Sequence, residues 1–144
     1  MSTELISSPR KGNSNMPTSG NGPRARYNRK QKGAAAEEAA VSYLKAQGLR
    51  IIERNWRCAS GELDIVAEEA GVLVIVEVRS RSSSAFGTPL ESVNVRKISQ
   101  IRQTAEIYLH FKKRQNVDIR FDVVGVMLDS ELNAADLQHI RYAF

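Results

Sequence analysis

The sequence contains little cysteine and histidine and no long apolar run, and each shortage excludes a class of protein. The one cysteine among 144 residues, Cys58, cannot form an intramolecular disulfide or a multi-cysteine zinc site. The two histidines, His110 and His139, lack the spacing of a triad or a metal site, so a metal ion would need mainly oxygen ligands. No apolar stretch approaches the roughly 20 residues of a membrane helix, and the N-terminus is polar, so we expect a cytoplasmic protein.

The positive charge is concentrated near the N-terminus. The formal net charge is +5, but residues 1–32 alone carry +6 and the rest of the chain carries −1. A basic tail is compatible with phosphate binding, although such tails also occur on proteins that bind no nucleic acid. Residues 1–27 have no apolar periodicity and are rich in Ser, Asn, Gly, Pro and Arg. We therefore expect a disordered basic tail over residues 1–27 and one domain over residues 28–144.

The domain alternates between helical and strand patterns. Helices are predicted over residues 28–47 and 94–112, and strands over residues 50–57, 62–68, 72–79, 118–128 and 137–142. This order, αβββαββ, predicts an α/β or α+β domain with a mixed β-sheet flanked by helices. The strand at 72–79 is apolar at both alternating sets of positions, so it should lie centrally, covered on both faces.

Two carboxylates are predicted to meet at the end of that central strand. If Ala70 and Gly71 form a two-residue hairpin loop, Asp64 lies directly opposite Glu77; a four-residue loop keeps them on one face, whereas a three-residue loop separates them. Facing like charges destabilise a sheet by about 0.2–1 kcal/mol, more where water is excluded. A divalent cation such as Mg²⁺, which binds one or two carboxylates together with water and phosphate, would compensate.

Other partners for these acids stay open at this point. Asp64 and Glu77 could instead form a structural salt-bridge network with nearby arginines, from among Arg57, Arg79 and Arg81, and the pattern does not separate the two possibilities. Arg79 follows Glu77 by two residues and points to the same face, where it could stabilise charge on a phosphate.

The first helix offers a third acid. Glu37 shares a stripe with Ala40, Val41 and Leu44, whereas Glu38 falls on the polar side. Of the two, Glu37 is the one aimed toward the interior. Periodicity alone nevertheless favours a position at the edge of the stripe, where Glu37 reaches water.

A series of short motifs runs in order along the domain. They are Gly33 with Glu37, Arg54-Asn55-Trp56-Arg57, Gly61-Glu62-Leu63-Asp64, Val76-Glu77-Val78-Arg79-Ser80-Arg81, Phe86-Gly87, Lys97 and Arg120-Phe121-Asp122-Val123-Val124. Together they resemble the YraN family of small bacterial proteins over residues 28–144. That family in turn resembles the PD-(D/E)XK nucleases, including archaeal Holliday-junction resolvases. The resemblance implies a restriction-endonuclease-like αβββαββ core.

The resemblance also implies an activity and a site. It implies a metal-dependent endonuclease that hydrolyses phosphodiester bonds of branched or damaged DNA, with catalytic residues Glu37, Asp64, Glu77 and Arg79. Asp64 and Glu77 would be the ligands of Mg²⁺ or Mn²⁺. Arg79 departs from the nuclease pattern, which has lysine there, and arginine does not deprotonate near neutral pH. The departure favours a second hypothesis, a non-catalytic nucleic-acid-binding or recombination accessory module; a protein-interaction adaptor is a third.

Two further basic residues are predicted to contact nucleic acid. Lys97, at the start of the second helix, and Arg81, beyond the central strand, are expected to bind the phosphate backbone and not the bases. The expected partner is therefore nucleic acid, DNA before RNA, and no membrane. The oligomeric state stays open, with a homodimer among the alternatives.

Overall fold

The computed structural model describes residues 2–4, 27–82 and 88–144. Its elements are β1 (Ser2–Glu4), α1 (Arg29–Ala46), β2 (Arg50–Cys58), β3 (Gly61–Glu69), β4 (Val72–Arg81), a 3-10 turn (Leu90–Ser92), α2 (Val95–Phe111), β5 (Ile119–Leu128) and β6 (Ala134–Ile140). From α1 onward this is the predicted order of helices and strands. Residues 2–4 of the predicted disordered tail form the strand β1, which pairs with β6. Residue 1 and residues 5–26 of that tail lie outside the described residues.

The strands form one mixed sheet in the order β1-β6-β5-β4-β3-β2. The pair β4 and β5 is parallel, and the other neighbouring pairs are antiparallel. The predicted central position of β4 is confirmed, since the side chains of residues 73–77 are all buried. This α/β architecture is consistent with a restriction-endonuclease-like core.

The two helices cover opposite faces of the sheet. Val74 and Val76 of β4 belong to the apolar cluster beneath α1, whereas Leu73 and Ile75 belong to the cluster beneath α2. This alternation follows from the two-residue period of a strand and explains why β4 carries an uninterrupted apolar run over residues 72–76. Within the described part of the chain, no helix combines the length and apolar character that crossing a membrane requires.

Both helices begin at asparagine caps. In α1, Asn28 Oδ1 accepts a hydrogen bond from Gln31 N at 2.8 Å, and Gln31 Oε1 accepts one from Asn28 N at 2.9 Å. In α2, Asn94 Oδ1 accepts a hydrogen bond from Lys97 N at 2.8 Å. These bonds satisfy backbone N–H groups that the first helical turn leaves unpaired, and so they fix where each helix starts.

The hairpin between β3 and β4 sets the register of the candidate site. Ala70 and Gly71 have φ values of 50° and 82°, as the two central residues of a type I′ turn require. The paired residues run from Glu69 opposite Val72 to Ile65 opposite Val76. Of the loop lengths that the sequence left open, the two-residue loop is the one present, and Asp64 and Glu77 are the next residues along the two strands.

Candidate active site

Asp64 and Glu77 meet where the paired part of β3 and β4 ends. Val78 N donates a hydrogen bond to Asp64 Oδ2 at 2.9 Å. The Asp64 carboxyl group therefore binds a backbone donor of β4 just beyond the last paired residues, Ile65 and Val76. Glu77 is buried, with 5% of its surface exposed, and Asp64 is half-buried beside it. Withdrawal from water, followed by the charge of Glu77 and a hydrogen bond with it, raises the pKa of Asp64 to about 8. Burial and the neighbouring charge thus both oppose ionisation of the Asp64 carboxyl group.

Two cations approach Glu77 from its other side. Arg79 Nη1 lies 3.4 Å and Lys97 Nζ 4.0 Å from Glu77 Oε2. Among the residues that the structure describes, no basic side chain forms an ion pair with Asp64, while Arg57 pairs with Glu62 at 2.5 Å. The site thus has one feature of the salt-bridge hypothesis, because Glu77 has cationic neighbours, and one feature of the metal-site hypothesis, because Asp64 faces a like charge.

Arg79 also holds the turn that precedes α2. Its Nε donates to Ser92 Oγ at 3.0 Å and its Nη2 to Ser92 O at 3.1 Å. The turn rests on the sheet through Pro89, which contacts Gly125 of β5 so closely that a Cβ there would lie 2.1 Å from Pro89 Cγ. Arg79 and Gly125 are neighbours in the β4–β5 register. The guanidinium and the proline together fix the start of α2, and with it Lys97.

Glu37 reaches the site from α1, but its carboxylate is already engaged. Glu37 is 9% exposed, so the water-exposed position expected from periodicity alone is wrong. Its Oε1 accepts hydrogen bonds from Arg54 Nε at 3.1 Å, from Arg54 Nη2 at 2.9 Å and from Asn55 Nδ2 at 2.9 Å. Glu37 and Asp64 line the same cleft of about 490 Å³ between α1 and the sheet. The predicted catalytic role of Glu37 is compatible with this position and stays a prediction.

Asn55 allows β2 to contribute to both faces of the sheet. Its φ of 53° lies in the left-handed region, which asparagine tolerates better than most residues. As a result Arg54 pairs with Glu37 of α1, whereas Trp56 packs edge-on against Tyr108 of α2, with ring centroids 5.1 Å apart. Sequence reasoning missed the roles of Arg54 and Asn55, and the only signal was their presence in a motif without an assigned function.

The donor set fits a hard divalent cation held by two carboxylates. Asp64 and Glu77 supply oxygen ligands only, and a bound cation would favour the ionised form of Asp64, whose pKa is raised without it. Across residues 2–4, 27–82 and 88–144, no group of three or more His, Cys, Asp or Glu side chains is placed to hold a metal ion. Glu37 therefore lines the cleft without completing a three-acid site, and water and substrate phosphate would fill the remaining positions.

Arg81 is the one predicted site residue that lies apart from these groups. It ends β4 and borders a second cleft of about 430 Å³, together with Arg29 and Lys32 of α1. The charge of Arg81 also acts on Glu91: hydrogen bonds from Thr88 lower the pKa of Glu91, and the charge of Arg81 lowers it further by a smaller amount. The structure thus gathers Asp64, Glu77, Arg79 and Lys97 at one point, with Glu37 in the adjoining cleft, and leaves Arg81 on another surface.

A second buried polar cluster lies away from this site. Asp122 accepts hydrogen bonds from Arg120 Nε at 2.9 Å and from His139 Nε2 at 2.8 Å, and the Tyr43 hydroxyl lies 3.3 Å from His139 Nδ1. Burial alone would raise the pKa of Asp122, but the hydrogen bonds from His139 and Arg120 lower it. The satisfied partners and complete burial indicate a structural role for this cluster.

Comparison with known proteins places the domain in a family. The profile described as "Uncharacterised protein family UPF0102" matches residues 36–126. A UPF0102 protein of Desulforamulus reducens is 45% identical over 117 residues, which cover 80% of this chain and 96% of the relative. One from Moorella thermoacetica is 45% identical over 116 residues, covering 81% and 97%, and one from Clostridium acetobutylicum is 43% identical over 115 residues, covering 80% and 94%.

The chain belongs to the UPF0102 family. The predicted membership of the YraN family is thereby confirmed, since these are the same family. The segment that matches the UPF0102 profile contains all six predicted site residues, namely Glu37, Asp64, Glu77, Arg79, Arg81 and Lys97.

Proposed function

We propose that the protein is a metal-dependent endonuclease that hydrolyses phosphodiester bonds in branched or damaged DNA. The observation that carries the proposal is the contact between Asp64 and Glu77 where the β3–β4 pairing ends, beside a cleft whose lining combines acidic side chains with the basic side chains of Lys30, Arg54 and Arg57. A pair of facing carboxyl groups is unfavourable without a cation. Such a pair is typical of a metal site that acts on phosphate.

Asp64 and Glu77 would hold Mg²⁺ or Mn²⁺, which when bound supplies a Lewis acid for the phosphate and for the attacking water. The protein's own residues provide the surrounding charge. Lys97 Nζ, 4.0 Å from Glu77 Oε2, stabilises negative charge on the phosphate and, being an amine, can also exchange a proton. Arg54 also lines the cleft, where its charge is paired with Glu37 and Glu38.

Arg79 acts as a positioning residue in this proposal. Its guanidinium is occupied by two hydrogen bonds to Ser92 and by the contact with Glu77. It orients Glu77 and holds the turn ahead of α2, which keeps Lys97 beside the carboxylates. The nuclease pattern has a lysine at the position of Arg79. On this proposal Lys97 of α2 supplies the amine instead.

The second candidate function is a non-catalytic nucleic-acid-binding or recombination accessory module. Arg79 favours it, because a guanidinium cannot serve as a base near neutral pH. In that case the basic side chains of the cleft would bind DNA, and the carboxylate pair would support no hydrolysis. Both candidate functions involve binding of nucleic acid, and they differ only in whether the protein hydrolyses it.

A cleavage screen distinguishes these candidates. The full chain would be incubated with Mg²⁺ or Mn²⁺ and with branched, flapped, single-stranded and duplex DNA, beside Asp64→Ala and the matched control Glu106→Ala. Glu106 is an exposed acid on α2, away from the paired carboxylates. The nuclease proposal expects metal-dependent cleavage that Asp64→Ala abolishes and Glu106→Ala retains. Binding of the same DNAs without cleavage under any condition would support the accessory module instead.

A further inference from the structure

The cleft that contains Arg81 has the features of a second phosphate-binding surface. Arg29, Lys32 and Arg81 line it together with the hydroxyl-bearing residues Ser80 and Ser82. Arg29 and Lys32 are exposed and form no salt bridge within the part of the chain that the structure describes. Lysine, arginine and serine side chains are the usual donors to phosphate oxygens in nucleic-acid complexes.

Asp129, the acid that lines this cleft, is committed to its own turn. Its Oδ1 accepts hydrogen bonds from Glu131 N at 2.8 Å and from Asn133 N at 2.9 Å. The charge of Asp129 is therefore partly compensated by backbone donors, and three basic side chains line the same cleft. The surface consequently has a net positive charge and is suited to an anion.

The two clefts lie on either side of the first turns of α1. Arg29 and Lys32 are three residues apart and face the second cleft, whereas Lys30, Gly33 and Glu37 form the neighbouring stripe and face the first. Gly33 has no side chain and is exposed, and a Cβ built there would meet no atom within 4 Å, so the α1 surface is open at this position. An extended polyanion that crosses α1 at this level would touch both clefts.

We propose that the Arg29–Lys32–Arg81 cleft binds the phosphodiester backbone of a strand that continues from the segment held at Asp64. The inference rests on the proposed function for the identity of the ligand as DNA, but it concerns binding and not hydrolysis. A helix with its side chains is about 10–12 Å wide. At about 3.4 Å per nucleotide along a strand, the DNA must extend at least three to four nucleotides beyond the first cleft.

The length of the DNA and the charge of the second cleft provide the test. Fluorescence anisotropy would measure the affinity of the full chain, in EDTA, for labelled oligothymidylates of increasing length and for a branched junction. The variant Arg29→Gln/Lys32→Gln removes two charges from the second cleft. The variant Lys45→Gln/Lys113→Gln removes two charges from exposed positions elsewhere and serves as the matched control. Loss of a positive charge at the start of a helix does not destabilise it, and a thermal melt checks this for each variant.

We expect wild-type affinity to rise with length once the strand spans both clefts, and Arg29→Gln/Lys32→Gln to remove that rise. The salt dependence, log Kd against log salt, should weaken by about 1.4 for single strands when two phosphate contacts are lost. The control should keep both the rise and most of the slope. Equal affinities and salt slopes for the two variants would overturn the inference. It would also be overturned if millimolar inorganic phosphate displaced the oligothymidylates and their affinity did not depend on strand length.

This outcome is separable from that of the cleavage screen. Wild type and Arg29→Gln/Lys32→Gln could cut DNA of all lengths with equal efficiency and bind it with equal affinity. This result would overturn the inference about the second cleft and leave the nuclease proposal intact. A protein that cuts no DNA, yet loses the length-dependent affinity in that variant, would overturn the nuclease proposal and support the cleft.

Discussion

Replacing Asp64 by asparagine should stabilise the metal-free protein at neutral and alkaline pH. In the folded state the pKa of Asp64 is raised to about 8 from its ordinary 3.8, first by burial and then by the charge of Glu77. Between these values the folded protein keeps a proton that the unfolded chain has released, so wild-type stability falls as the pH rises through this window. Asparagine has no charge to withdraw from water. Its amide can donate to Glu77, as the protonated acid does, and its carbonyl can accept from Val78 N.

The size of the effect follows from the same pKa values. A tenfold change in an acid dissociation constant corresponds to about 1.4 kcal/mol, which sets an upper limit of about 5 kcal/mol at pH 8. Asp64 is half-buried, so water and relaxation of the side chain reduce this, and we expect a gain of about 2 kcal/mol. For a domain of this size the gain corresponds to a rise in Tm of about 8 °C. Below about pH 4 the two proteins should melt together, because Asp64 is then protonated in both states.

Metal ions provide the complementary measurement. Mn²⁺ at a hundred times its Kd stabilises a folded protein by about 2.7 kcal/mol when only the folded state binds it. Thermal melts at several pH values, with and without Mn²⁺, should show this rise for wild type and for Glu106→Gln but not for Asp64→Asn. Absence of a metal shift in wild type, together with a loss of about 3–5 kcal/mol in Asp64→Asn, would refute the reasoning, since that loss is the mark of a broken buried ion pair.

Three further results are expected. Replacing Lys97 by methionine should reduce the rate of metal-dependent DNA cleavage by about 10²-fold or more while preserving Tm, and an unchanged rate would exclude this amine from the site. Deleting residues 1–27 should leave a folded domain with weaker DNA affinity and a smaller salt slope, because these residues carry most of the excess charge; unchanged binding would make the tail a solvated terminus. Changing Asp122 to asparagine should cost about 3–5 kcal/mol in urea unfolding at pH 7. Since the folded pKa of Asp122 is lowered, the difference from wild type should shrink as the pH falls below about 4, and a constant difference would contradict the ion-pair role.

Local sequence predicted the turn but not its length. Gly71 marked a turn between two strand patterns, and the two-residue period of a strand placed Asp64 on the face of Glu77 for a two- or four-residue loop but not for a three-residue loop; the structure has the two-residue loop. Both inferences concern residues close in sequence, where turn type and strand register leave few alternatives. The central position of β4 was predictable for a similar reason, because an uninterrupted apolar run must be covered on both faces.

Contacts between distant elements were not predictable from one sequence. Periodicity places Glu37 at the margin of an apolar stripe, but its burial depends on Arg54 and Asn55 of β2, whose positions the α1 pattern does not determine. The left-handed Asn55 interrupts the alternation of β2, so a count of every second residue misassigns Trp56. The clamp between Arg79 and Ser92 likewise depends on how the turn before α2 packs on the sheet.

The division of labour between Arg79 and Lys97 bears on whether the site is catalytic. A guanidinium held by Ser92 and Glu77 is suited to fixing geometry, because three of its planar donors are engaged and it keeps its charge. An ammonium on a flexible stem, 4.0 Å from Glu77, is suited to meeting a phosphate and to exchanging a proton. Although arginine cannot serve as the base, its presence in the motif is therefore compatible with hydrolysis if another residue supplies the amine. What matters is whether an amine reaches the carboxylate pair, and on the present proposal α2 supplies it because Arg79 holds the start of that helix in place.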